Sequence, residues 1–349
     1  MKTPWIKGLF AVLVFGAAST GTPANLAFAA ASPAGPQQAV PNTPPEAGPN
    51  RPANIPDGYV ITPFGFFHSS CVQSLTKGER LLADGRIQHA DGTVEEAAAV
   101  CSYPHYMRGG IGSGTAANTS AGVKNGAVAK NGSGANTPSA IDGWVESASI
   151  YSGSSSKTYG ALVATWAVPD RPLADDGQVL FFFPGFEDIN NTESILQPVL
   201  QWNQGQWTIA SWNCCLSGIA TSSPAINVSA GDEIYGSVTS TCAPGTLACP
   251  TWNVLTLDMA TGKSTTLADT PSQGQTFNWA FGGVLEAYNP TTCGDYPLDR
   301  HLRFDNLTVF DQYLRPVFHP KWSIAVNSTD TPQCHYGIKL GPREVTLDY

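Results

Sequence analysis

Residues 141–349 carry one repeating pattern that limits what the chain can fold into. Short runs of β-branched and aromatic residues follow one another, separated by Gly, Pro, Asn and Asp. Examples are "YGALVATWAVP", "GQVLFFFPGF" and "TWNVLTLDM". No convincing stretch has the period of an amphipathic helix. The pattern predicts an all-β domain, a β-sandwich or jelly roll of the concanavalin-like kind, whose long strands curve around a concave face.

The first residues have the composition of an export signal. Lys2 and Lys7 precede the apolar run "GLFAVLVFGAA", which is too short to cross a bilayer, and Ala27-x-Ala29 follows as a cleavage site. We therefore interpret residues 1–29 as a signal peptide. The mature protein is expected to be secreted and extracellular, with no membrane attachment.

Three further segments precede the β-rich domain. Residues 30–53 are rich in Pro and Ala and are predicted to form an extended tether. Residues 54–107 contain aromatic strand formers and two Asp-Gly turn signals, which predict a small N-terminal module. Residues 108–140 are rich in Gly, Ser, Asn and Ala and contain no acidic residue, so we interpret them as a flexible linker open to peptidases.

The eight cysteines are even in number, as expected for a disulfide framework in an exported protein. Proximity in sequence favours pairing Cys71 with Cys101, Cys242 with Cys249 and, more loosely, Cys293 with Cys334. The adjacent Cys214 and Cys215 pair either with each other or with separate partners. No CxxC pair and no HExxH motif is present, so neither a metal site nor another cofactor is expected.

Charge is distributed unevenly along the chain. Residues 140–349 contain 20 Asp and Glu against 9 Lys and Arg, while residues 1–139 contain 7 against 9. An acidic domain argues against nucleic acid or anionic membranes as partners. It also suits an acidic medium, in which protonation lowers the repulsion between its carboxylates.

The segment "ESILQPVLQWN" contains two residues that are unusual in an apolar strand. Gln197 places a carboxamide among aliphatic side chains, and Pro198 follows it without an N–H. In a strand, residues 196, 198, 200 and 202 share one face and residues 195, 197, 199 and 201 share the other. The first set is apolar and belongs in the core, so Gln197 is predicted to lie on a partly covered concave face. Pro198 requires a bulge or an unpaired position.

A carboxylate occupies a similar strand further along the chain. In "FGGVLEAYN", Glu286 shares a strand face with Val284 and Tyr288, where it is expected to be desolvated. From the pattern alone, a Gln or Glu on a strand is more often a solvated or cross-strand partner than a catalytic group. A serine nucleophile has less support, because the chain has no G-x-S-x-G motif and its histidines have no recognisable triad partner.

Taken in order, these segments resemble the glutamic peptidases of the eqolisin type, the family of scytalidoglutamic peptidase. The resemblance begins at Trp144 and covers about 210 residues. "FFFPGFED" is similar to the family's Trp-x-Gly-x-Asp-Gly segment, "ESILQPVLQWN" to its "ILQTG" motif and "AINVSAGDEIYGSVTS" to its "ITISEGDSI" strand. "LDMATGKSTT" resembles its "LTTGQ" hairpin, and "FGGVLEAYN" falls where the family has "IxEDF". The chain resembles a divergent member with an N-terminal extension.

The resemblance implies a secreted, acid-acting endopeptidase with Gln197 and Glu286 as its catalytic dyad. Glu286 would take a proton from water, and Gln197 would stabilise the tetrahedral oxyanion. Pro198 stands where the family has Thr, Glu187 replaces an Asp, and Asn213 replaces a carboxylate that assists the site. The residues assigned to substrate binding are Phe183, Glu187, Trp212, Asn213 and Tyr288.

Protein or peptide substrates are the expected partners, and we expect a monomer. As a peptidase precursor, the chain would keep residues 30–139 as a propeptide, whose basic excess pairs with the acidic domain until acid releases it. Two alternatives stay open. One is a carbohydrate-binding or glycan-cleaving jelly roll, although a glycosidase usually needs two carboxylates and Glu187 is the sole second candidate. The other is a secreted binding protein without catalysis.

Overall fold

The computed structural model describes residues 44, 51–107, 110–113, 139–140, 142–154, 156–215 and 218–349. The predicted signal peptide and most of the predicted tether and linker lie outside these residues. Within them, strands and two 3-10 helices, Ser69–Cys71 and Cys293–Asp295, are the regular elements, so the predicted all-β class is confirmed. No helix in these ranges is both long and apolar enough to span a membrane.

The strands of the described residues are numbered in chain order. Those of the N-terminal part are β1 (Tyr59–Thr62), β2 (Gly65–His68), β3 (Val72–Ser74), β4 (Arg80–Leu81), β5 (Ile87–Gln88), β6 (Val94–Glu95), β7 (Pro104–Met107), β8 (Gly110–Ser113) and β9 (Ser139–Ala140). The next are β10 (Asp142–Tyr151), β11 (Tyr159–Ala167), β12 (Val179–Asp188), β13 (Asn191–Asn203), β14 (Gln206–Cys214), β15 (Ala220–Ser222), β16 (Ile226–Val228) and β17 (Glu233–Ser240). The last are β18 (Thr251–Asp258), β19 (Ser264–Pro271), β20 (Trp279–Tyr288), β21 (His301–Asp311), β22 (Ser323–Val326), β23 (Asp330–Thr331), β24 (Gly337–Gly341) and β25 (Glu344–Asp348).

Two large sheets form the sandwich. The nine-stranded sheet has the order β22-β10-β20-β12-β13-β14-β15-β3, with β16 also paired to β14. The seven-stranded sheet has the order β19-β18-β17-β11-β21-β25-β24. Side chains from both sheets share the core between them, where Leu180, Phe182 and Leu200 belong to one cluster with Phe304 and Val345. This shared core identifies the two sheets as the packed layers of a β-sandwich.

The two sheets differ in how their strands are buried. In the seven-stranded sheet, β18 alternates between fully buried residues and partly or fully exposed ones, as expected when the outer face meets solvent. In the nine-stranded sheet, all ten residues of β12 are buried. Strand β12 must therefore be covered on both faces, and the seven-stranded sheet covers only one of them.

The N-terminal module, residues 54–107, covers the second face of the nine-stranded sheet. Its side chains Phe64, Phe66 and Phe67 belong to the same buried cluster as Phe181 and Phe183 of β12. We call this covered surface the module face. It carries residues 179, 181, 183, 195, 199, 210, 212, 281, 284 and 288 of the sandwich. Through this close apolar packing, the module and the sandwich belong to one compact unit.

The module also adds structure at its borders. Its sheet has the order β1-β2-β7-β8, so residues 110–113 of the predicted flexible linker are strand β8. Residues 139–140, at the other end of that linker, pair with β23. Strand β3 pairs in parallel with β15 and so extends the nine-stranded sheet. The linker prediction is therefore wrong for these two short stretches, because backbone pairing orders them.

Four disulfides use all eight cysteines. Three pairs are as the sequence predicted: Cys71–Cys101, Cys242–Cys249 and Cys293–Cys334. The alternative left open for Cys214 and Cys215 is resolved, because these neighbours pair with each other. The first disulfide closes the module and the other three lie in the sandwich.

Candidate active site

Gln197 lies on the module face and binds the module directly. Its Nε2 donates a hydrogen bond of 2.7 Å to the carbonyl oxygen of Pro63. Pro63 and Phe64 form the two-residue turn between β1 and β2, whose flanking residues Thr62 and Gly65 are paired. Gln197 is fully buried, and its Oε1 has no hydrogen-bond partner among the described residues. A buried amide with one free acceptor is costly for stability, which suggests a role other than packing.

The pairing between β12 and β13 is interrupted beside Gln197. Pairing between β12 and β13 runs from Leu180 to Phe182 and resumes at Phe186, where it meets Leu196. Continuing the register places Pro184 opposite Pro198 in the interval, where neither residue has an N–H to donate. Pro198 is thus unpaired towards β12, and on its other side it pairs with Ser211 of β14. The interruption lies next to Gln197.

Glu286 lies further along the module face and is also buried. The hydroxyl of Tyr288 donates a hydrogen bond to Glu286 Oε1. The ring of Phe66, from the module, stands edge-on against the ring of Tyr288 with centroids 5.0 Å apart. The β1–β2 hairpin therefore covers Gln197 with its turn and the Glu286–Tyr288 pair with its second strand.

The strand register does not bring Gln197 and Glu286 together. Phe181 of β12 pairs with Glu286 on one side and with Gln201 on the other. Gln197 is four residues from Gln201, so it lies about 13 Å along the strands and about 10 Å across them from Glu286. Side chains stand roughly perpendicular to a sheet, so these two cannot hold one water between them. At the level of Gln197, β12 has Gly185 and β20 has Phe281.

Three other predicted site residues lie on the module face. Trp212 pairs directly with Gln197, and Phe183 packs edge-on against Trp144 with centroids 5.7 Å apart. Glu187 is fully buried and pairs with Ile195 of β13 and with Trp279 of β20. Because paired residues share a sheet face, Glu187 belongs to the same face as Gln197.

Asn213 lies on the opposite face of its strand, between the sheets. Its Nδ2 donates hydrogen bonds to Thr270 Oγ1 at 2.7 Å and to the Pro271 carbonyl at 2.8 Å. The structure therefore places Asn213 away from the module face that carries Gln197. The alternation of β14 that turns Trp212 towards the module turns Asn213 away from it.

A buried histidine lies in the module itself. His105 stacks on Phe67 with ring centroids 4.7 Å apart, and neither of its ring nitrogens has a hydrogen-bond partner in the described part of the chain. Burial lowers the pKa of His105 from 6.5 to about 4, because the apolar surroundings disfavour the charged imidazolium. Protonation of His105 therefore opposes the folded module.

A buried carboxyl lies in the core of the sandwich. Glu146 is 2% exposed, on the side of β10 that faces the other sheet, and its Oε2 accepts a hydrogen bond of 3.1 Å from the Gly337 N–H. Desolvation raises its pKa to about 9; the Gly337 hydrogen bond opposes this shift, and the charge of Asp348 adds to it. Glu146 is thus held protonated at neutral pH. Its burial in the core separates it from the module face.

That the module covers this face of the sheet was not predicted from the sequence. Two signals were available: the uninterrupted apolar run "VLFFFPGF" requires cover on both faces, and "PFGFF" in the module carries more aromatic surface than a small module can bury. The predicted pairing between a basic N-terminal part and an acidic domain has one described example, Arg80 with Asp269. The contacts around Gln197 are apolar instead.

Comparisons with known proteins find a distant likeness in fold. No protein-family model and no curated protein matches the chain. Scytalido-glutamic peptidase, solved with a peptide-based transition-state analogue, is 17% identical, with a TM-score of 0.44 over 60% of this chain and 98% of that one. SCP-B, a member of the eqolisin family solved with the tripeptide Ala-Ile-His, is 18% identical, with a TM-score of 0.43 over 60% and 98%. Aspergilloglutamic peptidase from Aspergillus niger is 16% identical, with a TM-score of 0.37 over 49% and 98%. Likeness at this level relates overall folds and assigns no residue a role.

Proposed function

We propose that this chain is the latent form of a secreted, acid-acting endopeptidase, closed by its own N-terminal module. One observation carries the proposal: the buried Gln197 amide already donates to a peptide carbonyl, that of Pro63. A carboxamide suits this task in acid, because it offers a donor and an acceptor and does not titrate. In the proposed enzyme, a substrate carbonyl takes the place of the Pro63 carbonyl.

Hydrolysis at such a site needs a donor for the developing oxyanion and a base for water. Gln197 supplies the donor. The base is a carboxylate on the same face, and the described part of this face offers Glu187 and Glu286. Among the described residues, no cluster of three or more His, Cys, Asp or Glu could hold a metal ion.

In the closed form the site is protected from external peptides. The carbonyl that Gln197 binds belongs to a tight turn whose ends are paired and whose Thr62 Oγ1 donates to the Gly65 carbonyl at 3.0 Å. A peptide bond held in a turn cannot extend across the sheet as a substrate would. The module therefore acts as an inhibitor, and its removal is the activating step.

The test is digestion of a denatured protein between pH 2 and 7 by the full-length chain, with pepstatin present. The chain is assayed intact and after cleavage at Lys or Arg in the 108–140 segment. We expect acid activity that Gln197→Ala abolishes and that Gln201→Ala, four residues away on the same strand face, retains. Equal activity in the two variants would refute the role of Gln197. The peptidase proposal would be refuted if no protein were cleaved at any pH, even by a Phe66→Ala variant whose module packs less tightly on the sandwich.

The carbohydrate-binding alternative finds little support on this surface. Sugar-stacking sites present aromatic faces to solvent, whereas Trp166, Trp202, Trp207, Trp212 and Trp252 are all buried. Within the described residues, no tryptophan is among the exposed large apolar side chains.

A further inference from the structure

We infer that Glu187, and not Glu286, is the carboxylate that works with Gln197. The inference rests on the proposed peptidase function and assigns its general base. It follows from the strand register of the module face.

Glu187 and Gln197 are diagonal neighbours on adjacent antiparallel strands. Glu187 pairs with Ile195, and Gln197 is two residues further along the same strand. Diagonal neighbours on one face of an antiparallel pair have Cα atoms about 7–8 Å apart, within reach of long side chains. One water can therefore contact the carboxylate of Glu187 and the carboxamide of Gln197 together. Glu286 lies about twice as far away in the same sheet.

Gly185 of β12 lies opposite Gln197 and two residues from Glu187, at a point where the two strands are closely packed. A Cβ at this position would lie 2.8 Å from the Leu196 carbonyl oxygen and 3.3 Å from the Gln197 Cβ. Any other residue at position 185 would press on the base of the Gln197 side chain. The absence of a side chain at Gly185 lets the two strands approach closely and leaves the base of the Gln197 side chain undisturbed.

The closed structure keeps Glu187 away from bulk water, since the side chain is fully buried. A general base for hydrolysis needs water only when substrate is present. Displacement of the hairpin turn from Gln197 would admit both water and substrate at the same position. The same movement would therefore uncover the donor and the base.

The reaction then balances as follows. The Glu187 carboxylate takes a proton from water, and the water oxygen bonds to the carbonyl carbon. The carbonyl oxygen becomes an oxyanion that accepts a hydrogen bond from Gln197 Nε2. As the oxyanion reforms the carbonyl, the C–N bond breaks and the Glu187 carboxylic acid gives its proton to the leaving nitrogen. One water is consumed, a carboxylic acid and an amine are released, and Glu187 is again a carboxylate.

The experiment compares kcat and KM of the acid-activated full-length chain with those of Glu187→Gln, Glu187→Asp and Glu286→Gln. Glu233→Gln, an exposed change on the other sheet, serves as the control. We expect Glu187→Gln to lower kcat at least about 100-fold with KM nearly unchanged, the usual contribution of a general base. In the pH profile, the activity that remains in Glu187→Gln should no longer fall on the acidic side. Glu187→Asp should have a higher kcat than Glu187→Gln.

Each outcome has one meaning. Glu187→Gln with more than about a tenth of the wild-type kcat overturns the inference, whatever Glu286→Gln does. If Gln197→Ala is still inactive in that case, the peptidase proposal stands and only the base is wrong. An inactive wild type overturns the proposed function and this inference together. Circular dichroism of each variant separates loss of catalysis from loss of fold.

Discussion

Replacing Glu146 by Gln should change how the stability of this protein depends on pH. The folded protein raises the pKa of Glu146 from its ordinary value of 4.5 to about 9. Below about pH 4.5 Glu146 is protonated in both the folded and the unfolded protein, so its contribution to stability is complete. Between pH 4.5 and 9 the unfolded chain releases the proton and the folded chain keeps it, so stability falls by about 1.4 kcal/mol per pH unit. From pH 5 to 7 the loss is about 3 kcal/mol.

The measurement is urea unfolding at pH 5, 6 and 7 with the disulfides intact, for the wild type and for Glu146→Gln. Gln keeps the volume of Glu146 and an acceptor for the Gly337 N–H, but it does not titrate. The wild type should lose stability relative to the variant by about 3 kcal/mol over this range. The pKa of Asp330, raised by burial to about 6, shifts in the same sense, but this group is present in both proteins and cancels. If the difference in unfolding free energy between the wild type and Glu146→Gln stays constant with pH, the reasoning is refuted.

The remaining predictions concern the module and share one assay, acrylamide quenching of the tryptophans beneath it. Phe66→Ala removes the ring that packs on Tyr288 and should weaken the docking of the module on the sandwich by about 3–5 kcal/mol. Tryptophan quenching should therefore increase at neutral pH. Unchanged quenching would contradict the packing of Phe66 on Tyr288. His105→Phe should prevent acid opening: the pKa of His105 is lowered to about 4, so wild-type stability falls as pH drops from 6.5 to 4. Quenching that rises equally in the wild type and in His105→Phe would exclude His105 as the cause.

The sequence predicts the strand-rich sandwich and the face of Gln197 because both depend on local alternation. Strand β13 shows this directly, since Leu196 and Leu200 lie between the sheets while Gln197 meets the module. Trp212 and Asn213 are neighbours in sequence, yet only the first reaches the module face. The resemblance that grouped them as site residues did not apply the period of two to each position.

The relation between Gln197 and Glu286 could not be read from the sequence. It depends on the register of β12 against β20, which shifts between Phe183 and Gly185. Such a shift is set by long-range pairing, and a displacement of one residue turns every side chain to the other face. Two motifs in the expected order therefore predicted a shared fold without fixing the distance between their side chains.

The hairpin that covers Gln197 belongs to the same chain as the sheet it covers, and this sets how the closed state responds to conditions. An intramolecular ligand competes at an effective concentration that its connection fixes, on the order of millimolar for short flexible connections. In the proposed latent enzyme, diluting the intact protein therefore cannot uncover the module face, and an added peptide must outcompete the hairpin at that effective concentration. Cutting the chain between module and sandwich turns the hairpin into a separate inhibitor. Only then does dilution decide how much of the module face is uncovered.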